Sequence, residues 1–164
     1  MNMKNNSDSC WEGNCYLTFS NNNSLDSENN KTILNSKFSA PFKLIKSKHD
    51  FEGRCIVPLL HTAGGLVGGD KLNLDVITKE NTKVLITSSS AQKVYGSIGR
   101  SLIQPEGKYT IQKNNFYLGE NSHLEYLPQE TIIFANGLFF QETEVELKNN
   151  CLLYTSPSPR DDLW

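Results

Sequence analysis

A chain of 164 residues, 37% of them hydrophobic, is long enough for one domain with a core of its own. Its 16 Lys and Arg against 18 Asp and Glu leave a net charge of −2, which offers no cationic field to a phosphate backbone and excludes nucleic acid from the expected partners. No apolar run approaches the roughly 20 residues that cross a bilayer, and the opening MNMKNNSDSC lacks a signal-like apolar stretch, so a cytoplasmic address without membrane contact is expected.

Taken in chain order, residues 1–13 are polar and read as a flexible start. Cys15–Phe19 (CYLTF) alternates and predicts a first strand, and Asn21–Asn30 (NNNSLDSENN) predicts a long polar loop. From Lys31 to about Lys148 the text is dense with period-two alternation. In Lys71–Val76, Leu72, Leu74 and Val76 share one face, with Lys71, Asn73 and Asp75 on the other. Lys83–Thr87 (KVLIT) is apolar on both faces and predicts a buried strand. One helical turn is expected over Ser88–Tyr95, with serines capping the amides ahead of Ala91-Gln92-Lys93. Tyr109, Ile111 and Lys113 set against Thr110 and Gln112 predict a half-buried strand, as do Thr143, Val145 and Leu147 set against Glu142, Glu144 and Glu146. Gly53, Pro58, Gly96, Gly99, Pro105-Glu106-Gly107, Gly119 and Asn136-Gly137 read as turns between these runs. The class is all-β.

The last residues differ. CLLYTSPSPRDDLW lacks the alternation, and Pro157 and Pro159 each remove a ladder donor, so no central strand is expected to continue there. Residues 150–164 therefore read as a disordered tail or as sequence foreign to the domain over 14–149, the second reading being preferred.

Chemistry has few footholds. Cys10, Cys15, Cys55 and Cys151 lack the paired spacing of a zinc site and read as reduced thiols. Gly64, Gly65, Gly68 and Gly69 crowd into HTAGGLVGGD (His61–Asp70), a density that asks for positive φ or close backbone approach. It is no phosphate loop, since Asp70 stands where a Walker motif needs Lys and Ser/Thr, and no dinucleotide fingerprint, since a strand follows it where that motif opens a helix. A tight strand-to-strand turn fits better. Ser88–Ser90 sit in no nucleophile elbow. Glu125, Glu130 and Glu142 could supply paired carboxylates, so a β-helical carbohydrate-active enzyme or sugar-binding module stays open as the alternative.

The block HTAGGLVGGDKLNLDV resembles one that marks the UreD (UreD/UreH) family of urease accessory proteins. LITSSSAQKVYGS (Leu85–Ser97) is similar to that family's Thr-rich run into Ala-x-Lys-x-Tyr, and ENSHLEYLPQETIIF (Glu120–Phe134) to its Leu-Pro-Gln-Glu strand. Gly13–Phe19 and APFKLIK (Ala40–Lys46) fit more loosely, and the resemblance stops near Leu147–Asn149, short of the family's length. It implies a β-helix-like stack with few short helical turns, incomplete in this chain. It implies a non-catalytic scaffold that binds the helical partner UreF, through it the GTPase UreG, and docks on urease apoprotein to help deliver nickel, with no cofactor held stably and nickel only in transit.

Given nickel, donor chemistry makes His61, Asp70, His123, Glu125 and Glu130 the candidate ligands, with His61, Asp70 and Glu130 the expected points of a transient route. Each also has a plain structural role open to it: a hydrogen-bonded histidine, a carboxylate bracing the turn's amides, a solvated glutamate. Lys93 and Tyr95, with Pro128 and Gln129 at a strand end, are motif residues whose ordinary roles are solvation and packing.

Overall fold

The computed structural model describes residues 10–22 and 31–155. Among these residues the alternation is realised wholly as strands, with no helix: β1 (Glu12–Asn21), β2 (Thr32–Phe38), β3 (Phe42–Leu44), β4 (Lys48–His49), β5 (Cys55–His61), β6 (Lys71–Thr78), β7 (Lys83–Ser88), β8 (Gln92–Val94), β9 (Thr110–Leu118), β10 (His123–Leu127), β11 (Thr131–Ile133), β12 (Phe139–Leu147) and β13 (Leu152–Thr155). The expected all-β class is the observed one.

Three sheets share them. The first runs β12-β9-β6-β1-β2, the second β13-β10-β7-β5-β3 with β4 also on β5, and the third is β11-β8. From β6 onward the chain visits the sheets in rotation, and each strand pairs in parallel with its counterpart of the round before. Thus Lys71 of β6 faces Ile111 of β9, Lys83 of β7 faces His123 of β10, and Gln92 of β8 faces Thr131 of β11. Antiparallel pairing is confined to the early strands, β1 with β2 and β3 and β4 with β5.

The passage from first to second sheet recurs as one corner. Asn81, Asn121 and Asn150 each occupy it with positive φ of 57°, 53° and 57°. Asparagine tolerates this left-handed conformation better than most residues. The corners are tied to each other: Asn81 N donates to Glu120 O, and Asn121 N to Asn149 O.

Alternation puts one face of each long strand inside. Leu17 and Phe19 of β1, Leu72, Leu74 and Val76 of β6, and Phe116 of β9 meet Val57 of β5, Val84 and Ile86 of β7 and Leu124 of β10, all at most 2% exposed. Full burial of such a side chain contributes about 1.5–3 kcal/mol. Part of this inner surface then turns polar. Leu72 lies beside Gln112 and Gln112 beside Gln141; Leu74 lies beside Asn114 and Asn114 beside Thr143.

Several local expectations are corrected. The helical turn over Ser88–Tyr95 does not form: a bend leads into β8, because Gln92–Val94 find a parallel partner in β11. Pro58 is no turn but lies inside β5. It is tolerated because β4 pairs only through Cys55 and Ile56 and β3 only from Leu59 on, so no ladder donor is required of Pro58, whose carbonyl accepts from Ile45 N. In Lys83–Thr87 only Val84 and Ile86 are buried, while Leu85 is half-buried on the outer face. Order begins earlier than expected, since Glu12 already opens β1. Leu152–Thr155 forms β13 beside β10, so pairing runs past Cys151, and the two Ser-Pro pairs follow it. Residues 1–9, most of the Asn21–Asn30 stretch and residues 156–164 lie outside the described residues.

Candidate functional site

The Gly-rich block is the connection from β5 to β6, and its glycines are dictated by what approaches them. A Cβ on Gly65, at φ 152°, would lie 2.4 Å from the Tyr95 ring, and one on Gly68 would lie 2.0 Å from Ser97 Oγ. Between them Leu66 pairs with Val94: Leu66 N donates to Lys93 O, and Tyr95 N donates to Leu66 O. Tyr95 Oη donates to Gly64 O at 3.3 Å. The first two motif blocks are therefore one packed unit.

The third block joins them. Gln92 N donates to Glu130 O, Gln129 N donates to Ser88 Oγ at 2.8 Å, and the Tyr95 ring stacks on Phe134 with centroids 5.2 Å apart. Sequence blocks that stand far apart thus share the third sheet and its margins.

Asp70 is 6% exposed, with its carboxylate turned onto backbone amides. Oδ2 accepts from Val67 N at 2.9 Å and Oδ1 from Trp11 N at 3.2 Å. This clamps the Gly turn, through its Val67 amide, to the start of β1.

His61, at the end of β5, has its Nε2 fully buried with no hydrogen-bond partner. It lines a pocket of about 70 Å³ together with Gln92 and Gln112 and, at the exposed rim, Gln129, Thr131 and Gln141. Burial pushes the His61 imidazole below its ordinary 6.5, against an opposing pull from the Asp70 charge. Tyr126 also borders the cavity, its phenol pushed up to about 12 by burial, so both groups are neutral near pH 7. An oriented amide chain runs alongside: Gln92 Nε2 donates to Gln112 Oε1 at 2.8 Å, Gln112 Nε2 to Asn114 Oδ1 at 3.2 Å, and Asn114 Nδ2 to Thr143 Oγ1 at 3.2 Å.

Glu130, His123 and Glu125 are not brought to this cavity. Glu130 is exposed and engages β8 through its carbonyl. Lys93 is exposed, whereas Pro128 and Gln129 border the cavity. His123 stands 3.7 Å from Glu125, which is ion-paired with Arg54, itself 2.8 Å from Asp50. Glu142 pairs with Lys113 at 3.1 Å. The carboxylates considered for glycoside chemistry therefore have separate neighbours. Among the described residues no three His, Cys, Asp or Glu side chains gather to hold a metal. Gln112, Asn114 and Gln141 belong to no motif of the sequence; the one signal was that Gln112 and Asn114 hold alternate positions of a strand whose continuation, Phe116 and Leu118, is apolar.

The model of the UreD urease accessory protein family matches residues 12–156. Urease accessory protein UreD of Prochlorococcus marinus strain MIT 9312 is 59% identical over 146 residues, 88% of this chain and 49% of the relative. Its namesake in strain MED4 is 58% identical over 142 residues (87% and 48%), and that of Synechococcus sp. strain CC9605 is 48% identical over 137 residues (84% and 42%). The chain spans about half the length of these curated relatives. With the match running from β1 to the end of β13, the chain belongs to the UreD urease accessory protein family.

Proposed function

We propose that the chain is a urease maturation factor: a cytoplasmic, non-catalytic scaffold that works with UreF and the GTPase UreG, docks on urease apoprotein and helps nickel reach the enzyme. Family membership across residues 12–156 is the observation that carries the reading. The Gly turn supports the non-catalytic part. Its Val67 amide is engaged by the Asp70 carboxylate, its Leu66 and Gly69 amides by the carbonyls of Lys93 and Tyr109, and Gly65 and Gly68 are crowded by Tyr95 and Ser97, so it works as a packing joint between strands. The buried polar side chains Gln112 and Asn114, continued by the exposed Gln141 and Thr143 on β12, support a polar surface that tolerates a hydrated ion. Nickel is cargo in this reading, and a scaffold that passes it on must hold it weakly.

The test is reconstitution. Urease apoprotein, UreF, UreG, GTP and limiting nickel are combined with and without this chain, and complex formation and urease activity are measured. Co-purification with UreF and activity above the omission control are expected. Absence of both effects would discard the reading.

A further inference from the structure

We propose that the hollow between the Gly turn and the β8–β9 loop (residues 95–109) docks an acidic segment of a partner protein that carries a large apolar side chain. The hollow has a volume of about 870 Å³. Its apolar lining includes the stacked rings of Tyr95 and Phe134 and the side chains of Val67 and Ile103, all of them exposed. The loop on its border is braced from within. Gly99 N donates to Pro105 O at 2.8 Å, Ser101 Oγ accepts from Ile103 N and Gln104 N, and Ser97 Oγ accepts from Lys108 N at 2.8 Å. The brace holds two apolar side chains in water, Ile103 at 96% exposure and Leu102 fully exposed. Single exposed apolar residues are ordinary, but several gathered around one hollow mark a contact surface.

Charge defines the partner. Arg100 and Lys108 line the hollow, and the Arg100 guanidinium makes no hydrogen bond or ion pair with the described residues. Asp70 is the one acidic residue of the described lining, and both its oxygens already accept from backbone amides. A planar guanidinium offers paired donors that match a carboxylate, and Arg beside aromatic rings is the composition of interface anchors. A small anion would answer Arg100 alone and leave Leu102, which stands outside the lining, in water. A peptide segment answers both, with carboxylates toward Arg100 and an apolar side chain against the Tyr95–Phe134 pair. The surface goes beyond the maturation role and does not depend on it.

The experiment pans phage-displayed random dodecapeptides on the purified chain and measures the selected peptides by fluorescence polarisation against wild type and variants. The expected peptides carry Asp or Glu on either side of Leu, Ile, Phe or Trp, and their affinity falls as salt rises. Binding is expected to weaken about tenfold or more in Arg100→Glu, and again in Leu102→Ser combined with Ile103→Ser. Phe51→Ser, which removes a nearly fully exposed ring from the turn between β4 and β5, should change nothing. All these side chains are exposed, so the variants should keep the wild-type melting midpoint. No enrichment, peptides without acidic residues, or acidic peptides that bind both hollow variants as tightly as wild type would overturn the proposal. So would a Leu102→Ser, Ile103→Ser chain that loses self-association in sedimentation velocity and keeps its peptide affinity, because the surface then belongs to a second copy.

Discussion

At the residue scale, the Gly turn is held by contacts that single substitutions can probe. Asp70 satisfies two backbone amides from inside the protein, and hydrogen bonds to an ionised group are worth about 1.5–3 kcal/mol each. Asp70→Ala is expected to lower stability by about 2–4 kcal/mol in urea unfolding, once relaxation and water entry are allowed for. Asp70→Asn, which keeps one acceptor and turns an amide group against the other N–H, should fall between the two. Equal stability of Asp70→Ala and wild type would show that the clamp contributes nothing to the fold. Gly68 offers a sharper case, because a methyl there meets Ser97 Oγ at 2.0 Å and Lys108 O at 2.8 Å. Overpacking of this kind costs about 1–3 kcal/mol, so Gly68→Ala should melt lower than Gly64→Ala, where nothing stands within 4 Å and only the positive φ resists.

At the element scale, the corners between first and second sheets depend on one conformation. Asn121 sits at φ 53° with its amide bonded to the next corner. Alanine in the left-handed region loses about 1–2 kcal/mol relative to a residue at ease there, whereas glycine adopts it freely. Asn121→Ala should therefore lower the melting midpoint and Asn121→Gly should hold it close to wild type. A second check concerns the strands that cover the core. Cys15 and Cys55 are fully buried, and burial pushes the Cys15 thiol up to about 12 and raises Cys55 as well, whereas Cys10 is exposed. A thiol reagent at pH 8 should label Cys10 quickly and leave Cys15 and Cys55 untouched until denaturant is added. Rapid native-state labelling of Cys15 would mean that β1 does not lie between β2 and β6.

At the scale of the whole molecule, the sheets have open borders. β12 is the outer strand of the first sheet, and its inward row carries Val145 and Leu147 at 42% and 52% exposure. The same row is buried one strand earlier, at Phe116 and Leu118. A long edge strand with uncovered apolar side chains invites pairing with another chain. The purified chain should accordingly self-associate with rising concentration in sedimentation velocity, and Val145→Lys with Leu147→Lys should shift it toward monomer. A monodisperse monomer at all concentrations would show that this border is closed by other means.

Period-two alternation along Leu72–Val76, Tyr109–Lys113 and Thr143–Leu147 determined the all-β class, because that period is the strand's own whatever lies beside it. The three motif blocks determined the family, and the four glycines announced a crowded turn. Alternation is silent, however, about neighbours. Ser88–Tyr95 read as a helical turn because three residues of β8 are too few to show a period, and only the pairing with Thr131–Ile133 made them a strand. Gln112 read as an ordinary polar position until parallel registry set it between Leu72 and Gln141 and buried it with Asn114. His61 opens the Gly-rich motif, but its buried, unpartnered nitrogen was not legible there. It exists because β5, β7, β9 and β10 close around it, and contacts between strands so distant in sequence are decided by packing, which local pattern cannot encode.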